Sequence, residues 1–307
     1  MVTERQIRIA AIGDIHEQWE RDDNRALENL NVDLALFVGD FGNEAVEVVK
    51  TIASLKIPFA AMMGNHDAWY TASAWGRKKS PYDHRKEDWV KQQLDLLGET
   101  HVGFGKLDFP QWDFSVVGSR PFSWGGQDWK NREFYRDRYG IGSFAESTER
   151  IVAAAREATC DNLIFLGHNG PLGLGDRAED ICGKDWEPRG GDHGDPDLAD
   201  AISRVRASDK RIPLVVFGHM HHRLRHTKEQ LRTAVCTHPE ETVYFNTAVV
   251  PRIIRLDGET LRNFSLIDLQ GGKVAEIKLI WTKEDGAIAS EKVLYRPLSL
   301  TENSIVT

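Results

Sequence analysis

A chain of 307 residues with 41% hydrophobic residues can bury a sizeable core as one domain, and its formal net charge of -8 excludes a bulk attraction to nucleic acid or anionic lipid. No apolar run approaches the roughly 20 residues that cross a bilayer, so no membrane association is expected. Cys160, Cys182 and Cys236 are widely spaced with no C-x-x-C, which excludes a disulfide framework or zinc ribbon and points to a reducing compartment.

In chain order, "MVTERQIRIAAIGD" lacks a basic segment followed by a long apolar one and enters a strand almost at once. The expected location is the cytoplasm, or an organelle stroma or lumen with the targeting segment absent. "IRIAAIGD" reads as a strand and "DDNRALENL" as a helix. "DLALFVGD" is a second strand, and "NEAVEVVKTIASL" a helix starting at Asn43. After the strand "PFAAMMGN" comes a helix in "RKEDWVKQQLDLLG", stopped at Gly98. Residues 70–145 are expected as a cap or insert within a single domain over 1–307. Inside it, "SRPFSWGGQDWKNREFYRDRY" mixes aromatic and basic residues, and a packed cap is favoured over a platform for nucleobases. A helix in "AESTERIVAAAREA", starting at Ser147, precedes the strand "NLIFLGH". Another in "PDLADAISRVRAS", starting at Asp197, precedes "PLVVFGH". Beyond residue 240, "TVYFNTAVV", "RIIRL" and "LRNFSLIDLQGGKVAEIKLIWTK" read as consecutive strands with a hairpin at "QGGK", and "LTENSIVT" as a frayed tail.

Five strand runs end in glycine followed by Asp, Asn or His. The polar residue then lies just past the C-terminal end of a buried strand, where open α/β sheets bind ligands. The endings supply Asp14, His16, Asp40, Asn65, His66, Asp67, His168, His219 and His221. Carboxylates, one amide and imidazoles without cysteine form a ligand set for first-row divalent metals, compatible with Mn, Fe, Zn or Ni. In extended backbone, residues i and i+2 point the same way, so Asp14 with His16, and His219 with His221, are expected to converge. The set exceeds one tetrahedral ion and suits two ions sharing a bridge.

The ordered motifs "GDIH", "GDFGN", "GNHD", "GHNGP" and "GHMH" resemble those of the calcineurin-like metallophosphoesterase superfamily, over about two-thirds of the chain. The resemblance implies a four-layer α/β/β/α sandwich of two mixed β-sheets flanked by helices. It also implies a dinuclear centre of two divalent ions, with manganese or iron favoured. Asp14, His16 and His221 would hold one ion, and Asn65, His168 and His219 the other, with Asp40 bridging. His66 would be the general acid beside the substrate and Asp67 would orient it. "GDFGN" departs from the "GDxxDRG" of Ser/Thr protein phosphatases. "GHNGPLGLGD", "ICGKDW" and "GDHGDPDL" look similar to a branch known from photosynthetic bacteria and plastids.

Other residues are weighed against plainer roles. Asn169, Arg223, Trp19 and His193 are candidates for substrate contact, His193 as an extra proton donor. Arg225 is a further cation within reach. His222 and His226 are expected to run into solvent, and His84, His101 and His238 have no motif around them. Asn246 is either near the site or a strand-end cap. The glycine-rich "ICGKDWEPRGGDHGDPD" is a candidate for shaping the substrate site. The expected function is metal-dependent hydrolysis of small phosphomonoesters or phosphodiesters. Alternatives are a phospho-Ser/Thr protein phosphatase and a non-catalytic metal-binding scaffold. No prediction of oligomeric state follows.

Overall fold

The runs that end in Gly-Asp, Gly-Asn and Gly-His form the parallel centres of two sheets. The computed structural model describes residues 6–239, 241–256 and 258–297. It opens with β1 (Gln6–Ile12), α1 (Arg21–Asn29), β2 (Leu34–Phe37), α2 (Val46–Ile52) and β3 (Phe59–Ala61). Helices α3 (Ala74–Arg77) and α4 (Trp89–Leu97) lead to β4 (Lys106–Phe109) and β5 (Phe114–Gly118). Next come α5 (Arg132–Tyr139), α6 (Phe144–Glu157), β6 (Asn162–Leu166), α7 (Pro196–Arg206) and β7 (Arg211–Phe217). Strands finish the chain: β8 (Val235–Thr237), β9 (Val243–Asn246), β10 (Ile253–Leu256), β11 (Glu259–Gln270), β12 (Lys273–Thr282) and β13 (Ile288–Tyr295).

The first sheet runs β13-β12-β11-β1-β2-β3, with β10 also paired to β11; the second runs β4-β5-β6-β7-β9-β8. Both are mixed, because parallel centres carry antiparallel flanks. Side-chain alternation sorts each strand into two faces. Ile9, Ala11, Leu36 and Val38 of the first sheet meet Val116, Ile164, Leu166 and Val216 of the second in a middle core. The opposite faces are covered by helices: Ala10 and Phe37 with Leu27 of α1 and Val49 of α2, and Phe165 and Val215 with Ile151 of α6 and Leu198 of α7. Three core layers thus separate four structural layers, the α/β/β/α sandwich. Each fully buried large apolar side chain contributes roughly 1.5–3 kcal/mol, so this frame can hold strained turns at its rim. Among the described residues, no helix is long and apolar enough to cross a membrane.

Several boundaries differ from expectation. The second helix begins after Ala45, because the Asn43 side chain is engaged by His66. Ser143, whose hydroxyl accepts from the Glu146 amide, caps α6; Ser147 lies buried inside it. Asp195 precedes α7, and Asp197 turns its carboxylate to Arg120. Gly98 does end α4, in left-handed backbone with φ of 52°. Gly271 and Gly272, at φ of 58° and 75°, make the two-residue turn between the paired Gln270 and Lys273. Of residues 70–145, Lys106–Phe109 and Phe114–Gly118 are strands of the second sheet. β13 gives no sequence signal because most of it is exposed on both faces, so no apolar alternation marks it. The tail "LTENSIVT" lies outside the described residues.

Candidate metal centre

Register brings the strand ends together. Ile12 of β1 pairs with Phe37 of β2, and Phe37 with Ala61 of β3, so their following Gly-Asp, Gly-Asp and Gly-Asn turns are neighbours. In the facing sheet, Leu166 of β6 pairs with Val216 of β7. The chain must turn sharply just past these ends. Asp14, His16, Asp40 and His219 all adopt left-handed backbone, with φ of 47°, 46°, 53° and 66°. Such conformations are uncommon for residues with a Cβ and cluster at functional sites. Convergence therefore arises from left-handed turns and not, as expected, from extended i and i+2 alternation. The glycines make room: a Cβ on Gly218 would lie 2.2 Å from Asp14 Oδ2, and one on Gly64 2.3 Å from Asp40 Oδ1.

Two groups of donors result. His221 Nε2 lies 3.4 Å from Asp14 Oδ1 and 3.1 Å from His16 Nε2, and His16 Nε2 lies 3.9 Å from Asp40 Oδ2. In the second group, His168 Nε2 is 2.9 Å from Asn65 Oδ1, 3.1 Å from His219 Nδ1 and 3.4 Å from Asp40 Oδ1. Asp40 thus faces both groups through different oxygens. Ligand atoms lie within 4.8 Å of one another in three overlapping sets: Asp14, His16 and His221; Asp40, His168 and His219; and His16, Asp40 and His66.

These contacts suit metal coordination as well as hydrogen bonding. The Val38 carbonyl oxygen, 2.8 Å from His168 Nδ1, can only accept, so in the neutral imidazole the ring proton sits on Nδ1 and Nε2 keeps the lone pair that can ligate. In that form the lone pair faces the Asn65 amide oxygen, a second potential ligand atom. A cation between them would be held by both. At metal–ligand distances of about 2.0–2.2 Å, donors of one ion lie about as far apart as those seen here. Burial pushes His219 far below the ordinary imidazole pKa, helped by the neighbouring His168 and His193, which keeps it in the neutral form that ligates. Burial raises the Asp40 pKa, but His168, His66 and His16 together bring it below its usual value, so it is a carboxylate. The residues fit two divalent ions.

His66 opens a short 3₁₀ turn beside this cluster. Its backbone N–H donates to Asp40 Oδ1 (2.9 Å), its Nδ1 is 2.6 Å from Asn43 Oδ1, and its ring stacks on Trp69 at 4.5 Å and 12°. Asp67 does not orient it. The Asp67 carboxylate points the other way and accepts from the backbone N–H groups of Gly64, Phe41 and Asp40 at 2.6, 2.8 and 3.0 Å. Asp67 therefore fixes the turn that carries Asp40, and the orienting partner of His66 is Asn43. Burial lowers the His66 pKa, opposed by the charge of Asp40. Glu44 secures the segment from behind, donating its N–H to the His66 carbonyl and accepting from the amides of Tyr70 and Thr71.

The expected substrate contacts separate. A cavity of about 590 Å³ opens over the centre, and Arg223, Arg225 and His193 line it. Trp19 does not: it is buried against Phe37 and Phe264, donates to Asn24 Oδ1 and lies under Arg252. Asn169 sits behind the wall, where its amide donates to the His193 carbonyl at 2.8 Å. His193 is a poor proton donor, because burial pushes its pKa down to about 4 and its Nε2 meets the Trp124 carbonyl at 3.0 Å. His222 is buried rather than solvated, with Nε2 on the Asn246 carbonyl at 2.8 Å, and His226 meets Glu179 at 2.9 Å. Asn246 caps the loop after β7, donating to the Met220 carbonyl at 2.6 Å. The aromatic stretch from 119 is mainly packing, with Arg120 under the rings of Trp129, Tyr135 and Phe144.

Sequence reasoning misses Asn43 and Arg232. Arg232 is buried, and its Nε donates to the His221 carbonyl while Nη1 reaches the carbonyls of Ala178, Asp180 and Gly183. It ties the loop before α7 to the His219–His221 turn. No local motif surrounds it. Asn43 is visible as the last residue of "GDFGN", but there it reads as a helix start.

No curated protein matches the sequence. Among solved structures, TT1561 of Thermus thermophilus is similar in fold, with a TM-score of 0.51 at 12% identity over 91% of this chain and 100% of that one. The purple acid phosphatase PPD1 of yellow lupin seeds aligns at a TM-score of 0.44 and 14% identity, over 96% of this chain and 54% of that one. The NAD nucleotidase of Haemophilus influenzae aligns at 0.48 and 11%, over 95% and 52%. The calcineurin-like phosphoesterase profile matches residues 7–223, and the chain belongs to that family.

Proposed function

We propose that this chain hydrolyses small phosphate esters, monoesters or diesters, with the help of two divalent ions. Asp14, His16 and His221 would hold one ion and Asn65, His168 and His219 the other, with Asp40 available to both. The observation that carries this reading is the crowding of nitrogen and oxygen ligand atoms in both groups, with Asp40 common to them. An N/O donor set without sulfur is compatible with manganese, iron, zinc or nickel, and we take manganese or iron first because the family resemblance implies them. Bound there, such ions supply Lewis acidity toward a phosphoryl oxygen and lower the pKa of water.

The remaining work falls to the chain. Asp67 and the left-handed turns keep Asp40 and its neighbours fixed before substrate arrives. His66 lines the cavity at the cluster's edge and donates a proton to the departing alkoxide. Asn43 and the Trp69 ring hold its plane. Because Asn43 is neutral, it orients the imidazole without the gain in basicity that a carboxylate would give.

The test uses a graded set of esters with and without Mn²⁺. Turnover is expected to require metal and to cease with chelator. His66→Ala should keep its metal and lose roughly 10²–10⁴-fold in rate on alkyl esters. Nitrophenyl esters, whose leaving groups need no proton, should lose least. Turnover that survives metal removal would end the reading, and an equal loss on every ester would make His66 a positioning residue.

A further inference from the structure

One wall of the cavity is a hairpin. Gly183 and Asp192 bridge its base, the Lys184 N–H donates to the Gly191 carbonyl at 3.0 Å, and the Gly190 N–H to that of Lys184 at 2.9 Å. Arg232 anchors it to the ligand loop through the Gly183 and His221 carbonyls. The wall is thus fixed relative to the candidate metal centre.

Charges on this wall divide into two kinds. Asp185 is committed: it lies 3.4 Å from Arg232 and accepts from the Arg225 backbone N–H at 2.9 Å. Asp192 uses both oxygens on the amides of Gly173 and Gly194, each at 2.7 Å. Lys130, Lys184, Arg223 and Arg225 line the same cavity, and among the described residues no ion pair neutralises them. Arg225 lies over the Trp186 ring at 5.3 Å, which holds its guanidinium in place. Against these four cations the rim carries one uncommitted acid, Asp128. This happens in a chain of net charge -8, so the local sign runs against the whole.

A scissile phosphate held at two divalent ions has no need of four more cations. Lys184 is also half-buried, where an unpaired charge is costly. We propose that this wall binds a second anionic group, so that the substrates are phosphate esters whose leaving group itself carries a phosphate or carboxylate. The inference rests on the phosphoesterase reading of the centre. A cavity of about 590 Å³ has room for such a leaving group, since small-molecule pockets span roughly 300–1,000 Å³. Lys184 and Arg223 are the specificity-determining residues.

The experiment measures binding, so it does not depend on turnover. A monoalkyl phosphonate, an alkyl bisphosphonate with the groups at opposite chain ends, and the matching ω-carboxyalkyl phosphonate are titrated onto the Mn²⁺-loaded protein by calorimetry. The second anion should tighten binding roughly tenfold at low salt, with the gain shrinking as salt screens it. Comparison of the bisphosphonate with the carboxylate identifies which anion is preferred. Lys184→Met with Arg223→Met should bring the ratio between singly and doubly anionic ligands close to one. Arg223→Gln alone, at an exposed position, should reduce it part of the way and covers failure of the double variant to fold. Equal affinity for all three ligands in the wild type would overturn the proposal, as would a ratio that survives the substitutions. Failure of the phosphoesterase reading would look different: the binding preference would stand, but no ester would turn over with any metal.

Discussion

Two of the clusters of buried charge in this sandwich answer burial in opposite ways. In the first, around Asp40, atoms able to ligate a cation crowd together: His168 Nε2 lies 2.9 Å from Asn65 Oδ1, and His16 Nε2 lies 3.1 Å from His221 Nε2. In the second, around Arg120, donors meet acceptors. Arg120 Nε donates to Asp197 Oδ2 at 2.7 Å, Nη2 to Asp195 Oδ1 at 3.0 Å and Nη1 to the Tyr135 hydroxyl at 3.3 Å. Ser123 donates to Asp195, and Ser147 to Asp197. Asp14, Asp40 and His168 are as buried as Arg120, Asp195 and Asp197. Burial of charge is therefore not what distinguishes a site. A crowd of imidazole, amide and carboxylate ligand atoms marks a candidate cation site, whereas paired donors and acceptors mark a brace.

The comparison can be broken by removing the central charge of each cluster. Asp40→Ala should lose both ions and bring turnover to the assay's floor, which elemental analysis alongside the rate would record. Undiminished occupancy would contradict the shared role of Asp40. Arg120→Met leaves Asp195 and Asp197 buried without their cation and should cost roughly 3–5 kcal/mol of stability, read from urea unfolding. Its metal content per folded molecule should match the wild type. If the metal left instead, the brace and the centre would be one unit.

His101 sharpens the contrast as a solitary imidazole. Its Nε2 is sealed off without a partner, and burial pushes its pKa down to about 4 from the ordinary 6.5. The unfolded chain then binds the proton more readily than the folded one. Stability is complete above about pH 6.5 and is lost as pH falls toward 4. Its share is about 2 kcal/mol after allowance for partial exposure. His101→Leu should flatten that part of the slope in unfolding curves taken between these limits, and an unchanged slope would assign it to other groups. The smallest expected effect is at Asn43. Asn43→Ala frees the His66 ring and should lower kcat about tenfold, equivalent to about 1.4 kcal/mol, with metal content unchanged. An effect confined to metal content would remove Asn43 from the acid's support.

What the sequence determined by itself was the set of parallel central strands and the polar residues at their ends. Continuous apolar runs ending in Gly-Asp, Gly-Asn and Gly-His mark buried parallel strands, and the period of two sorts Ile9 and Ala11 from Ala10 and Ile12. Those signals are local, so a single chain displays them. Lys106–Phe109, Phe114–Gly118 and Ile288–Tyr295 escaped because strands at or next to a sheet edge need not show a regular alternation. Only the tertiary structure decided the partners. Asp67 turned from His66 toward the Gly64, Phe41 and Asp40 amides, Asn43 took its place, Trp19 went into the core, and Arg232 arrived from a distant loop. Each outcome depends on the direction a side chain takes out of a left-handed or 3₁₀ turn. Those turns are imposed by the two sheets meeting at their rims, and contacts between segments far apart in the chain leave no pattern within either one.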